Sequence, residues 1–255
     1  KVVKGSTGAR EGPVGRTALD REHSPLQECS CGHVIQPHRP WFISGQFAGE
    51  RSAGHGARTL MTQHEDLTHI GIDFGARTAG TTAVCYLHHG LFRFRHSVKD
   101  ADGDAWLEST ITELRPKAIY IDAPLSLPAA YAGHGDDFFF RAADLQAKGM
   151  SPMFLGGLTA RAMRLAAGWR KQGIVVHEAY PAALIRHAWE VLDVEPRKAI
   201  PRHKLRIMAG MVTLPPPVPA DRHETDAWLC WVIGHRHLRG EAISFGTKQE
   251  GRILA

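Results

Sequence analysis

The sequence predicts an α/β protein with a mixed sheet and helices on both faces, and three short apolar segments carry that prediction. Residues 68–74, 117–124 and 174–181 are rich in apolar and β-branched residues and are followed by glycines or prolines, as short buried strands are. Helical patterns stand between and after them. This alternation indicates parallel strands joined by right-handed crossovers.

The other elements follow from apolar spacing and from the residues that break it. Residues 81–98 predict two strands around a turn at His89-Gly90. Helices are predicted at 102–115 and 158–173, since apolar residues recur at helical spacing and a proline or glycine follows each segment. The remaining predicted elements are helices at about 138–148, 182–192, 202–212 and 223–238, and a closing strand at 243–246.

Composition is that of an ordinary globular protein: 43% of the 255 residues are hydrophobic and 22% are charged. No apolar run approaches the length of a membrane span, and no secretory signal is visible, so we expect no membrane association. Cys85 and Cys230 lie in apolar runs. We expect them to be buried thiols in a reducing compartment, which predicts a cytoplasmic protein.

Residues 1–60 differ from the rest of the chain. They are rich in glycine, show no sustained periodicity, and hold 8 Lys or Arg against 5 Asp or Glu. We expect a disordered tail or a non-native extension here, with Met61 as the natural start and 61–255 as the folded domain. The alternative is a basic arm that contacts nucleic acid.

Acidic residues stand at the ends of the predicted elements. Asp73 and Asp122 each end a short apolar strand, and Glu178 lies near the end of a third. Asp226 shares a helix face with apolar residues that should pack on the sheet. Because carboxylates at one sheet edge repel each other unless a cation separates them, the pattern suggests a Mg²⁺ or Mn²⁺ site.

Each of these residues also has a purely structural explanation. Asp122 precedes a proline turn, which an aspartate often caps, and Asp226 lies near a helix start, where acids suit the helix dipole. Glu178 could simply pair with an arginine. The glycines after Asp73, in "IGIDFGARTAG", would also suit a phosphate-binding loop. "DDFFFR" (136–141) offers rings that could stack on bases, although a local apolar core is the favoured interpretation.

The motifs together resemble a known family. In order, they are "IGIDFGARTAG", "YIDAPLSLP", "RAAD", "LTARAMRL", "HEAYPAALIR", "ETDAWLC" and the closing "GTKQEGRILA". They are similar to the predicted RNase H-like nucleases, and specifically to a bacterial and archaeal domain family of unknown function. The resemblance covers about residues 68–254. This chain departs from the family at Ala162, where a glycine is usual, and has only Glu224 and Asp226 for its final acid doublet.

The resemblance implies an RNase H-like sheet of five strands in the order 3-2-1-4-5, with the first three antiparallel. It implies a two-metal nuclease that hydrolyses phosphodiester bonds of RNA or DNA with Mg²⁺ or Mn²⁺. Asp73, Asp122 and Asp226 would bind metal, and Glu178 would join them as a fourth catalytic residue. The candidate substrate-binding cations are Arg141, which matches the family's Arg-x-x-Asp pair with Asp144, together with Arg161 and Lys204.

Two other functions remain open at this stage. An actin- or hexokinase-type ATPase would use the glycines after Asp73, but it needs a second lobe and a second phosphate loop for which 61–255 leaves no room. A non-catalytic RNase H-like scaffold would keep the fold without the chemistry. Cleavage of nucleic acid would indicate the nuclease, ATP turnover would indicate the ATPase, and the absence of both activities would indicate the scaffold.

Overall fold

A seven-stranded mixed sheet forms the centre of the computed structural model, which describes residues 68–192 and 217–255. The strands are β1 (His69–Asp73), β2 (Ala83–His88), β3 (Leu91–His96), β4 (Ala118–Asp122), β5 (Val175–Ala179), β6 (Ser244–Thr247) and β7 (Gly251–Leu254). The helices are α1 (Gly103–Leu114), α2 (Ala142–Ala147), α3 (Pro152–Leu155), α4 (Gly157–Lys171), α5 (Pro181–Leu192) and α6 (Arg222–Leu238), with a 3₁₀ turn at Ala129–Ala132.

The strand order is β3-β2-β1-β4-β5-β7-β6, which confirms the predicted 3-2-1-4-5 core. The first three strands are antiparallel neighbours, and β1, β4 and β5 are parallel. The closing strand predicted at 243–246 is present as β6, and it forms a hairpin with a second strand that the sequence did not predict. That second strand, β7, pairs with β5 in parallel and with β6 antiparallel, so it lies between them.

Strands β1 and β4 are central because their side chains suit burial on both faces. Four of the five residues in "HIGID" and in "AIYID" are buried, and in each strand the final aspartate is the partly exposed residue. Near-continuous apolar runs of this kind belong inside a sheet covered on both sides. Strand β3, "LFRFRH", lies at the edge and is only partly buried.

Helices cover both faces, as predicted. On one face α6 contributes Trp228, Cys230 and Trp231 to a buried cluster with residues of β2 and β4. On the other, α1 and α4 contribute apolar residues that include Leu107 and Leu165. Cys85 and Cys230 are free and buried, which confirms the burial expected of these two thiols.

Helix boundaries agree with the predictions to within a few residues. The side chain of Asp102 caps α1 by accepting hydrogen bonds from the amides of Asp104 and Ala105. The helix ends before Arg115, whose backbone adopts the left-handed conformation. The predicted helix at 202–212, Lys204 within it and the segment 1–60 lie outside the described residues. No helix in the described ranges has both the length and the apolar character needed to cross a membrane.

The segment between β4 and α4 differs from its prediction in two respects. Its helix, predicted at 138–148, is the shorter α2. The local core expected around the three phenylalanines is wrong, because Phe138 and Phe139 each expose at least half of their surface. Only Phe140 is partly covered, and its ring lies edge-on to Phe154 at 6.0 Å between centroids.

A histidine-rich cluster lies under α6 at the end of the sheet away from the acids. The ring of His69 stacks on Trp231 with centroids 4.6 Å apart, and its Nε2 lies 3.0 Å from the Trp231 carbonyl oxygen. The ring of Tyr120 stacks on His177 at 5.1 Å, and its hydroxyl lies 2.9 Å from His237 Nδ1. Burial lowers the pKa of His69 and of His177 to about 4.

We expect these histidines to make the fold sensitive to acid. The folded-state pKa of both rings lies below the ordinary 6.5. Their contribution to the free energy of unfolding is therefore complete above pH 6.5 and is lost as the pH falls towards 4. The loss is up to ~1.4 kcal/mol per pH unit for each proton. Urea denaturation of wild type and His177→Gln at several pH values would measure this. The variant should lose less stability on acidification, whereas exposed His134→Gln should follow wild type. Equal slopes for all three proteins would contradict the prediction.

Candidate functional site

Asp73 and Asp122 face each other across the two central parallel strands. The register pairs Asp73 of β1 directly with Asp122 of β4. Paired residues of neighbouring strands project from the same face of the sheet, and their backbones lie about 4.8 Å apart. The two carboxyl groups therefore leave the sheet side by side at its carboxyl-terminal edge, as the sequence predicted for parallel strands.

Asp226 reaches the same place because α6 lies unusually close to β1. A Cβ atom on Gly71 would fall 2.2 Å from the carbonyl oxygen of Ala227 and 2.3 Å from the amide nitrogen of Trp231. Only glycine allows the helix backbone to approach the strand this closely. Gly71 is two residues before Asp73 on the same face, so Asp226, next to Ala227, lies over the aspartate pair.

All three aspartates have a raised pKa, and burial is the largest cause in each case. Burial, followed by repulsion from Asp73, raises the pKa of Asp226 to about 6. Burial and then repulsion from Asp73 and Asp226 hold the pKa of Asp122 well above its usual range. Burial also raises the pKa of Asp73, against the opposing effect of His223. These shifts mean that burial makes the ionised form of each carboxyl group unfavourable, and that Asp73 adds repulsion at the other two.

His223 is the site residue that the sequence reasoning missed. Its Nδ1 lies 2.6 Å from Asp73 Oδ2. His223 is three residues before Asp226, so both residues project from one face at the start of α6. That i, i+3 spacing was a visible signal. The side chain of Glu224 is not directed at Asp73. Its Oε1 lies 3.2 Å from Nε2 of His96, in β3.

Glu178 does not join the aspartate cluster. It pairs with Ile121 in β4, one residue before Asp122, so its side chain leaves the opposite face of the sheet. Its two carboxylate oxygens lie 2.8 and 2.7 Å from the guanidinium of Arg141, and the amide of Leu125 donates a further hydrogen bond at 2.9 Å. Burial acts to raise the pKa of Glu178, and these donors act against it.

Arg141 is completely buried, which leaves no surface for a substrate. Besides Glu178, its guanidinium binds the carboxylate of Asp144 at 2.6 and 3.0 Å and the hydroxyl of Ser126 at 2.7 Å. All five donor positions of the guanidinium are therefore engaged. We assign Arg141 to holding the segment after β4 against β5, in place of the substrate contact expected from the sequence.

Arg161 connects α4 to the turn that follows Asp73. Its guanidinium binds the buried carboxylate of Asp104, donates from Nη1 to the Gly75 carbonyl oxygen at 3.2 Å, and lies 4.7 Å from the centroid of the Phe74 ring. Its side chain is 20% exposed, so part of the cation remains accessible at this edge. The third expected cation, Lys204, lies outside the described residues.

The aspartate cluster has the oxygen ligands that a divalent-metal site requires, but its side chains are not arranged to coordinate an ion. Three carboxylates with raised pKa values are oxygen ligands of the type that Mg²⁺ and Mn²⁺ prefer. Within residues 68–192 and 217–255, however, no group of three or more His, Cys, Asp or Glu side chains is arranged to hold a metal ion. Asp73 is directed at His223 instead.

The fold and the site define a mixed α/β protein with an acidic cluster at the carboxyl-terminal edge of its sheet. No known protein family matches the chain. Curated proteins give no significant match either.

Removing one carboxylate should stabilise the protein at neutral pH when no metal is present. Because the folded-state pKa of Asp226 is about 6, above its ordinary 3.8, the ionised form destabilises the fold as the pH rises through this range. We expect Asp226→Asn to raise the free energy of unfolding at pH 7 by on the order of 1–2 kcal/mol. Urea denaturation in EDTA measures this, and the gain should vanish near pH 4. A loss of stability at pH 7 would show that Asp226 makes a favourable contact as an anion.

Proposed function

We propose that this chain is an RNase H-like, metal-dependent nuclease that hydrolyses phosphodiester bonds of nucleic acid. One observation carries the proposal: Asp73 and Asp122 are paired in register on adjacent parallel strands, with Asp226 brought over them by α6. Such a cluster is costly to maintain, since burial raises the pKa of all three carboxyl groups and Asp73 repels both of the others. A role in binding cations gives a reason for that cost.

In this proposal Asp73, Asp122 and Asp226 would hold Mg²⁺ or Mn²⁺. The bound ions would supply activation of the attacking water and stabilisation of the leaving oxygen. His223 orients Asp73 through its Nδ1. In the tautomer with the proton on Nδ1, that nitrogen donates to Asp73 and Nε2 is the hydrogen-bond acceptor of the ring. Arg161 would attract a phosphate at the same edge.

Glu178 enters the proposal differently from the three aspartates. Its contacts with Arg141 and Leu125 occupy the carboxylate, so we propose that it supports the loop after Asp122 and does not act on the phosphodiester. The two buried free thiols are consistent with a cytoplasmic, reducing environment. Whether the substrate is RNA or DNA is left to the experiment below.

The cleavage experiment compares wild type with Asp73→Asn and Asp122→Asn. Purified protein would be incubated with Mn²⁺ and single-stranded, duplex, hybrid and branched nucleic acids. We expect each substitution to reduce cleavage by at least ~100-fold, because a missing ligand removes most of the metal's effect. Glu113→Gln is the matched control: Glu113 is an exposed carboxylate on α1 that pairs with Arg95 of β3, and its loss should leave full activity.

A non-catalytic scaffold is the second candidate, and the contact between His223 and Asp73 favours it. A histidine can hydrogen-bond Asp73 without any metal, which would preserve the fold after loss of chemistry. No cleavage by wild type on any substrate, together with no Mn²⁺ binding in calorimetry, would support the scaffold. ATP turnover without nuclease activity would point to the phosphate-loop alternative.

A further inference from the structure

Five large apolar side chains form an exposed surface on the segment between β4 and α4. We name it the aromatic surface, and its members are Tyr131, Phe138, Phe139, Met150 and Phe154. Each exposes between 50% and 68% of its area. Scattered exposed apolar residues need no explanation, but a cluster drawn from one segment indicates a binding surface.

The rings are held in place by the backbone beneath them. Asp137 Oδ1 accepts hydrogen bonds at 2.8 Å from the amides of Phe139 and Phe140, and the Ser151 hydroxyl donates to the Phe139 carbonyl oxygen. The next residue, Arg141, is the buried anchor described above. A surface fixed in this way loses little conformational entropy on binding, which favours association.

The rings also contact one another in pairs. Tyr131 meets Phe138 edge-on with centroids 5.4 Å apart, and Phe139 meets Phe154 at 6.1 Å with a tilt of 40°. The four rings therefore form two contacting pairs, and the pairs are joined in the chain through the neighbouring residues Phe138 and Phe139. Aromatic rings offer both edges and faces to an incoming ring, so a surface of this kind can pack against an identical one.

The charges beside the aromatic surface favour a protein over a nucleic acid as its partner. Exposed Asp136 and Asp137 precede the phenylalanines, and Lys148 is the exposed cation nearest to Met150 in sequence. A nucleic-acid surface needs several cations for the phosphates. The core of a protein interface is instead rich in Phe, Tyr and Met and poor in charge.

The size of the surface fits a weak dimer of this chain. Each half-exposed member contributes on the order of 100 Å², so two facing copies would bury roughly 1,000 Å² in total, which is about the minimum for a specific interface. The flanking charges have opposite signs. A contact between identical surfaces is two-fold symmetric, so every contact between two different residues occurs twice. Asp136 of each copy can therefore meet Lys148 of the other.

We propose that the aromatic surface is the contact between two copies of this chain, with Asp136 of each copy opposite Lys148 of the other. The dimer forms in the micromolar range, as expected of an interface of this size. It does not depend on metal or on the proposed nuclease activity, because none of its residues belongs to the aspartate cluster.

Sedimentation of the full chain between about 1 and about 100 micromolar tests the dimer. Wild type should pass from monomer to dimer over this range, and Phe139→Ser/Phe154→Ser should remain a monomer. Val98→Ser removes an equally exposed apolar side chain elsewhere and should dimerise like wild type. Circular dichroism would verify that each variant is folded. A wild-type monomer throughout, or a dimer that survives the double substitution, would overturn the proposal.

Exchanging the two charges tests the geometry. Lys148→Glu and Asp136→Lys should each weaken the dimer by about tenfold because like charges then face each other. The double variant, with both charges exchanged, should recover the wild-type affinity. A second readout uses a fluorescent single-stranded oligonucleotide in EDTA. If a monomeric wild type bound it and lost binding in Phe139→Ser/Phe154→Ser, the surface would belong to nucleic-acid bases, and the dimer would be wrong.

Discussion

Arg141→Met is expected to lower the free energy of unfolding by about 3–5 kcal/mol, because it leaves two buried carboxylates without a counter-charge. Arg141 is completely buried, and its partners Asp144 and Glu178 are 1% and 7% exposed. Methionine has a similar volume and fills the space, so the loss comes from the charge and the hydrogen bonds. Urea denaturation at pH 7 measures the change.

Arg164→Met is the matched control for this prediction. Arg164 also contacts two carboxylates, those of Asp104 and Glu108, but at 3.3 Å and with 59% of its side chain exposed. Exposed ion pairs contribute little, so its loss should cost less than ~1 kcal/mol. Adding Asp144→Asn and Glu178→Gln to Arg141→Met should recover part of the loss, since the isolated charges are then gone. If both arginine variants had the same free energy of unfolding, the buried ion pairs of Arg141 would contribute no more to stability than the exposed ones of Arg164.

Gly71→Ala should be almost as damaging, for a steric reason. The new methyl group would lie 2.2 and 2.3 Å from backbone atoms of α6, which cannot rotate away as a side chain can. The helix must move off β1, and we expect a loss of about 3 kcal/mol in the free energy of unfolding. The same movement carries Asp226 away from Asp73, so any Mn²⁺ binding by the cluster should weaken as well.

The control for Gly71→Ala is another glycine with open space around it. Gly168 lies inside α4, and a Cβ atom placed there meets nothing within 4 Å. Gly168→Ala should therefore stabilise the protein by about 0.5–1 kcal/mol, since alanine favours a helix. Thermal and urea unfolding of the two variants would be compared with wild type. A tolerated Gly71→Ala would mean that α6 does not lie against β1 as described.

The sheet was predictable because its central strands carry their own signals. The β-branched runs ending at Asp73 and Asp122 are short, apolar and bounded by turns, which indicates buried parallel strands without knowledge of their neighbours. Strand β7 was missed since "GRIL" has no alternation, and its strand character depends on pairing with β5 and β6. Local preference does not encode such a partner.

The candidate site was predictable in part for the same reason. Asp73 and Asp122 occupy matching strand ends, so parallel pairing was enough to bring them together. The pairing of Glu178 with Arg141 was beyond sequence reasoning, because the arginine comes from an irregular segment whose path no periodicity describes. The exposure of Phe138 and Phe139 was missed because apolar residues usually indicate burial, and the backbone contacts of this segment with Asp137 and Ser151 are not visible in the sequence.

The position of β7 has a consequence for how the protein emerges from the ribosome. Residues 251–254 fill the gap between β5 and β6, so the outer edge of β5 stays unpaired until they have been synthesised. An open apolar strand edge invites pairing with other nascent chains. Slow translation of residues 251–254 would therefore prolong an aggregation-prone stage, and the yield of folded protein in a cell-free system should depend on the speed of that step.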